Sequence, residues 1–163
     1  MKSVTDYSFH LIQGPISSEI GSEVIKLWTE SAGLSAGIAA QRLKELALIL
    51  KDKSGKVIGV STVVKTYFPQ IHNYVYAYRC FIHPEFRAPA LDTQMIVRTK
   101  NHLQEVSKGE TANKCVGIMV IVQNEIIKSQ WKQAVWLGAD MIYVGNTAEG
   151  HHIRIGYFKG ARI

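Results

Sequence analysis

The residues whose types and spacing suggest chemistry are concentrated between Tyr74 and Ser107. The stretch opens on a strand-like run. Tyr74, Tyr76, Tyr78, Cys80 and Ile82 share one face of it, and Val75, Ala77, Arg79 and Phe81 the other. The chain then turns through Pro84 to Leu91, and a helix is expected from Asp92 or Thr93. A strand that feeds a helix through a short turn makes an anion site, because the first N–H groups of the helix have no internal acceptor. Two phenols, Tyr76 and Tyr78, stand on the strand just before that turn. A phenol titrates at about 10, so it makes a poor base at neutral pH. Both tyrosines read as walls of a pocket that donate hydrogen bonds or relay a proton through water. The same side chains also fit packing against a helix with their hydroxyls at the surface. Cys80 has no histidine or asparagine at an activating spacing and reads as a small buried thiol.

Other candidates are weaker. His151-His152 sits at the final turn. Imidazole titrates near neutral pH, so one ring could take a proton from an amine, and the pair equally fits turn histidines on a basic surface. His83 precedes Pro84 in a turn and reads as solvent-exposed. His10, His72 and His102 show no partner spacing. No Ser-His-Asp pattern, Gly-rich nucleotide loop or HExxH is present, and no CxxC or Cys/His spacing points to a metal.

The elements that must hold these residues follow from periodicity. Residues 6–13 read as a strand broken by Gly14-Pro15. Ser17 or Ser18 can cap a helix whose apolar face is Ile20, Val24, Leu27 and Trp28. A second helix is expected over about 35–45. Asp52 to Lys56 reads as a hairpin turn between Leu46–Leu50 and Val57–Val64. The helix after the central turn is expected to bury Ile96, Leu103 and Val106 and to end at Gly109. Cys115 to Val122 is nearly all apolar, as in a strand covered on both faces. Ile127, Trp131, Ala134, Val135 and Gly138 recur at helical spacing. Residues 140–145 and 152–158 read as two closing strands. The order is β-α-α-β-β-β-α-β-α-β-β, an α/β (α+β) layout with a mixed, mostly antiparallel sheet of about seven strands and helices on both faces.

Composition bounds the function. At 163 residues the chain suits one domain over 1–163. With 47% hydrophobic and 20% charged residues it is ordinary for a globular protein. No run reaches the roughly 18 apolar residues of a membrane span, and the N-terminus has no signal-peptide core. A cytoplasmic setting with reduced thiols is expected. The net charge of +6 favours an anionic partner, whether a phosphorylated cofactor, nucleic acid or an acidic protein, and equally fits a surface that is merely basic.

At Phe81-Ile82-His83-Pro84-Glu85-Phe86-Arg87, the small-residue turn Arg87-Ala88-Pro89-Ala90-Leu91-Asp92, and Asn124 with the later Leu137-Gly138, the chain resembles the GNAT superfamily of acyl-CoA N-acyltransferases. The resemblance extends over nearly the whole chain as element order. It implies transfer of an acetyl group from acetyl-CoA to a primary amine by direct attack in a ternary complex. The pyrophosphate of coenzyme A would sit on Arg87, Ala88, Pro89, Ala90, Leu91, Asp92 and Thr93. The pantetheine arm would pair with the backbone of Cys80, Phe81 and Ile82, and Asn124 would face the cofactor. A homodimer pairing through the C-terminal strand would also fit.

The departures from the family pattern are specific. Ala90 stands where the family has its first glycine, and Pro89 lacks an N–H. Asp92 replaces a small residue and could cap the helix through Gln94 or Met95. The family's tyrosine acid is not visible, because the two ways of counting reach Ala134 and Trp131. The position of the base that some members carry is Tyr76. A second function fits these departures: a catalytically weakened GNAT-like fold serving as a basic binding module for nucleic acid or protein.

Overall fold

Caps and turn chemistry decide where the elements stop. The computed structural model describes residues 6–163. Strand β1 is Tyr7–Leu11. Helix α1, Ser18–Ser31, starts where the Ser17 hydroxyl accepts the Ile20 N–H. Helix α2, Ala36–Arg42, starts likewise on Ser35 and ends in a 3₁₀ turn, Leu43–Glu45, so it is shorter than expected. Strands β2, Leu46–Asp52, and β3, Val57–Phe68, form the expected hairpin. Asp52 organises its turn by accepting from the Ser54 and Lys56 N–H groups, while Gly55 takes φ +84°. Strand β4 is Asn73–Ile82, helix α3 is Pro89–Lys108, and strand β5 is Cys115–Val122. Helix α4, Glu125–Gln130, precedes strands β6, Val135–Trp136, β7, Met141–Asn146, and β8, His152–Tyr157.

The eight strands follow the order β1-β2-β3-β4-β5-β8-β7-β6. The β4–β5 pair is parallel, joined across α3; β1–β2, β2–β3, β5–β8, β8–β7 and β7–β6 are antiparallel. This is the mixed sheet expected from the sequence, with β6 as an eighth strand. By contact the chain divides into two units: Met1–Val63 with Arg79–Thr99, and Val64–Tyr78 with Lys100–Ile163.

In the first unit α1 and α2 bury Val24, Leu27, Trp28 and Ala39 with Ile49, Val57 and Val60 of the hairpin. A second cluster joins Leu48, Leu50, Ile58 and Ile82 to Leu91 and Met95 of α3. The buried stripe of α3 is Leu91, Met95, Thr99, Leu103 and Ser107, at i+4 steps. Val106, expected inside, is 46% exposed. The helix starts at Pro89 rather than at Asp92 or Thr93, so Leu91 lies inside it and heads the stripe.

In the second unit Phe68, Val75, Val116, Met119, Ile153 and Ile155 make the core. At Gly117 a side chain would collide with the Gly156 carbonyl, so β5 and β8 approach too closely for a Cβ there. Strand β8 pairs with β5 on one edge and β7 on the other. The expected dimer contact through the C-terminal strand is therefore closed, because both its edges are in use.

The long helix expected over 127–138 is also overturned. α4 stops at Gln130, and Val135 and Trp136 pair with Ile142 and Met141. The cause is Arg154 on β8. Its guanidinium donates to the carbonyls of Trp131 and Ala134, and the Trp136 indole donates to the same Trp131 carbonyl. A carbonyl held this way is taken out of a helical ladder. Leu137, expected at the helix end, lies 84% exposed beyond β6.

Candidate acyl-donor site

The end of β4 has one edge engaged. The His83 N–H donates to the Ile58 carbonyl at 2.7 Å, and the Phe81 carbonyl faces Gly59. Main-chain groups alternate sides along a strand, so those of Cys80 and Ile82 point away from β3. The β4–β5 ladder joins Tyr74 to Cys115, Tyr76 to Ile118 and Ala77 to Met119, while β4 runs on to Ile82. Arg79 and Cys80, just beyond that last pair, are exposed. Cys80 is thus not the buried thiol expected from its apolar run. Phe81 is half-buried and Ile82 buried.

The turn after β4 is tightly fixed. Pro84–Phe86 forms a 3₁₀ turn, and the His83 ring caps it by accepting the Glu85 N–H. Arg87 Nε donates to the Ile82 carbonyl at 3.1 Å, and its guanidinium lies 5.7 Å from the centre of the Phe81 ring. Arg87 is exposed, so its charge reaches solvent.

The start of α3 differs from the expected cradle. The Ala88 carbonyl accepts the N–H groups of Leu91 and Asp92, and Pro89 occupies the first helical position, which suits it. Asp92 therefore lies inside the first turn and is not the cap, since Ala88 already stands at the boundary. The Asp92 carboxyl is pushed up by burial, and the positive charge of Arg87 opposes that rise. Pro89 and Ala90 are exposed, Ala88 and Thr93 are half-buried, and Leu91 is buried.

Tyr76 and Tyr78 are both buried, in the second unit. The Tyr76 hydroxyl donates to Glu110, and its ring lies 6.3 Å from that of Phe158. Burial first, and the Glu110 carboxylate next, push this phenol well above its ordinary range. Glu110 also accepts from Lys65 Nζ at 2.7 Å and from the Cys115 N–H at 3.0 Å. Burial would raise the Glu110 carboxyl, but the hydrogen bonds from Lys65, Tyr76 and Cys115 hold it below its usual range. The Cys115 thiol is pushed up to about 12 by burial and the same carboxylate. Glu110 escaped the sequence reading because it follows the helix-ending Gly109 in a turn, where nothing in the spacing marks it as a partner of Tyr76.

Asn124 is exposed and caps α4, its Oδ1 accepting the Ile126 and Ile127 N–H groups at 2.9 and 3.2 Å. Nearby on β8, His152 faces Val122 across one ladder and Asn146 across the other. Arg154 is 1% exposed, with its guanidinium 4.2 Å from the Trp136 ring centre. Among the described residues no group of three or more His, Cys, Asp or Glu could hold a metal, and no helix is long and apolar enough to cross a membrane.

The fold is matched among solved structures. Ribosomal-protein-S5-alanine acetyltransferase from Vibrio fischeri superposes with TM-score 0.65 at 14% identity, covering 99% of this chain and 98% of that one. The fold is that of the GNAT superfamily. A GNAT-family acetyltransferase from Listeria monocytogenes gives 0.65 at 14% identity, covering 93% of this chain and 94% of that one. AtaTR bound with acetyl-CoA gives 0.60 at 15% identity, over 94% and 95% of the two chains. No family model and no curated protein matches this chain.

Proposed function

We propose that this chain is an N-acetyltransferase that moves an acetyl group from acetyl-CoA to a primary amine in a ternary complex. The observation that carries the reading is the end of β4. There the strand outruns its last pair with β5, Arg79 and Cys80 are exposed, and the main chain of Cys80 and Ile82 points away from β3. That edge suits pairing with the amides of a pantetheine arm, on a fold whose solved examples include one with acetyl-CoA bound. Cys80 and the Ile82 N–H would supply the pairing, because Arg87 already holds the Ile82 carbonyl and the Phe81 main chain faces β3. Arg87 would meet the pyrophosphate with its exposed guanidinium, beside the first turn of α3 at Ala88 to Thr93. Asn124, expected on the cofactor side, is engaged in capping α4. Tyr78 is retained as a wall of the acceptor site. Tyr76 is better assigned to holding Glu110 than to proton transfer, given its raised phenol. Cys80 and Cys115, neither in a disulfide, suit a cytoplasmic protein.

The test is thiol release from acetyl-CoA with a panel of primary amines: polyamines, aminoglycosides and alanine-terminated peptides. Release that requires both protein and amine is expected with at least one class. A specific observation favours the second reading, a basic module for nucleic acid or protein: Leu91 and Asp92 turn their N–H groups onto Ala88, where phosphate would need them. Salt-sensitive binding to RNA or DNA, with no amine acetylated, would select that reading.

A further inference from the structure

The amine must reach the thioester from the side of β4 that the donor leaves open. Side chains alternate along the strand. Ile82 packs with Leu91 and Met95 of α3, so Cys80 and Ile82 belong to the face where the first turn of α3 would hold the phosphates. Phe81 packs instead on the cluster of α1, α2 and the β2–β3 hairpin, and Arg79 shares its face. A nucleophile approaches a thioester carbonyl from outside the carbonyl plane, and the donor's own chain fills the α3 side. The acceptor therefore comes in over the face of Arg79. All of these groups lie in the first unit.

Arg79 is aimed for an anion on that face. It adjoins Cys80, half of its side chain is exposed, and Nη1 donates to a carboxylate oxygen of Glu45 at 3.2 Å. Glu45 comes from the 3₁₀ turn that follows α2, 34 residues earlier in the chain. This one contact orients the guanidinium and leaves its other N–H groups without a partner among the described residues. An exposed ion pair of this kind contributes little to stability, so the fold does not need it as a brace. A guanidinium carries five N–H donors in a planar fork, and a carboxylate matches two of them side by side. The open edge of Arg79 has room in its donor set for a second carboxylate while Glu45 keeps the first. Lys44, next to Glu45, is exposed and adds positive charge. At Lys44, Glu45 and Arg79 a polyamine meets two cations and one carboxylate, whereas an amine with its own carboxylate meets a matched donor.

We infer that Arg79 selects the acceptor by its carboxylate and that the substrate class is the free amino acids, an inference that rests on the acetyltransferase reading above. Arg79 adjoins the residue that would hold the thioester end of the donor. The carboxylate it binds must therefore lie only a few bonds from the reacting amine, as it does in an amino acid. Glu45 is a positioning residue that aims Arg79.

The experiment gives the full chain acetyl-CoA with a mixture of the common amino acids, or with the matching mixture of their amides, and identifies N-acetylated products by mass spectrometry. The best acid and its amide are then compared kinetically in the wild type, Arg79→Gln, Arg79→Lys and Glu45→Gln. Thermal melts establish that each variant is folded, and calorimetry follows acetyl-CoA. The wild type should prefer the acid by about 30-fold in kcat/KM, although the amide's amine is the less protonated of the two. Arg79→Gln should bring that ratio to about one, through KM for the acid, and Arg79→Lys should restore part of it, since an ammonium lacks the planar fork. Glu45→Gln should fall between the wild type and Arg79→Gln. Acetyl-CoA affinity in Arg79→Gln should stay within about 2-fold of the wild type, unlike Arg87→Ala. Equal use of acid and amide by the wild type, a ratio unmoved in Arg79→Gln, or a loss of acetyl-CoA affinity there matching Arg87→Ala would overturn the inference. So would a wild type that binds acetyl-CoA and acetylates no amino acid. Absence of acetyl-CoA binding by the wild type would overturn the acetyltransferase reading itself, and this inference with it.

Discussion

The polar groups of this chain are handled in two opposite ways. Around Glu110 and Arg154 in the second unit they are directed at one another and at the main chain. Glu110 gathers Tyr76, Lys65 and the Cys115 N–H, and Arg154 is directed to two carbonyls and an indole face. At Arg79 to Thr93 in the first unit, Arg79, Cys80, Arg87, Pro89 and Ala90 are exposed, with Arg79 directed to Glu45 and Arg87 to the Ile82 carbonyl. The difference teaches that residue type does not mark a site. A buried tyrosine or arginine with its hydrogen bonds made holds the fold, while a less conspicuous strand end with main chain to offer can hold a ligand.

That contrast can be broken most sharply at Arg154. Arg154→Ala would leave a cavity under Trp136 and release the 131–136 segment, with an expected loss of about 3 kcal/mol or more by denaturant unfolding. A loss below about 1 kcal/mol would mean that the segment is not held by the cation.

Glu110→Gln comes next, with an expected loss of about 2 kcal/mol at neutral pH and unchanged acetyl-CoA affinity. Its pH dependence follows from the sign of the shift. A carboxyl held below its usual value contributes stability that is fully present above the unfolded carboxylate range. That stability fades as pH falls through the lowered folded value. Unfolding midpoints from pH 7 to pH 3 should therefore drop more steeply in the wild type than in Glu110→Gln. Parallel curves would contradict the role given to this carboxylate.

In the other region the expected effects fall on binding. Arg87→Ala should weaken acetyl-CoA about 10-fold in a calorimetric titration, with little change in melting temperature. The smallest effect belongs to Asp92→Asn, which removes a negative charge from the first turn near the proposed phosphates. It should tighten acetyl-CoA by about two- to five-fold. Because burial raises the Asp92 carboxyl, its ionised form is disfavoured in the fold. The wild type should thus gain stability from this group as pH falls through the raised value, opposite in sign to Glu110. A weaker Asp92→Asn complex would place the phosphates elsewhere.

Much of the fold was legible in the sequence, because strands and helices here carry plain signals. The Asp52 turn, the serine caps and the apolar run of Cys115–Val122 each act locally. The failures came where a distant residue overrides a local pattern. Ile127 to Gly138 has helical spacing, yet Arg154 binds its carbonyls from β8, 20 and 23 positions on in the chain. The start of α3 was placed too late because Asp92 looks like a cap, whereas Pro89 at the first helical position already sets the turn. At the candidate site, the stretch Cys80 to Thr93 could be singled out from its order of elements. Its neighbours could not, since the Tyr76–Glu110 pair spans 34 residues and leaves no pattern in the chain.

The central claim is that the end of β4 and the start of α3 receive acetyl-CoA. Titrating acetyl-CoA into the full-length protein by calorimetry tests it most directly. The account predicts a saturable one-to-one isotherm that weakens in Arg87→Ala. Absence of heat up to millimolar acetyl-CoA, with the protein folded, would contradict it.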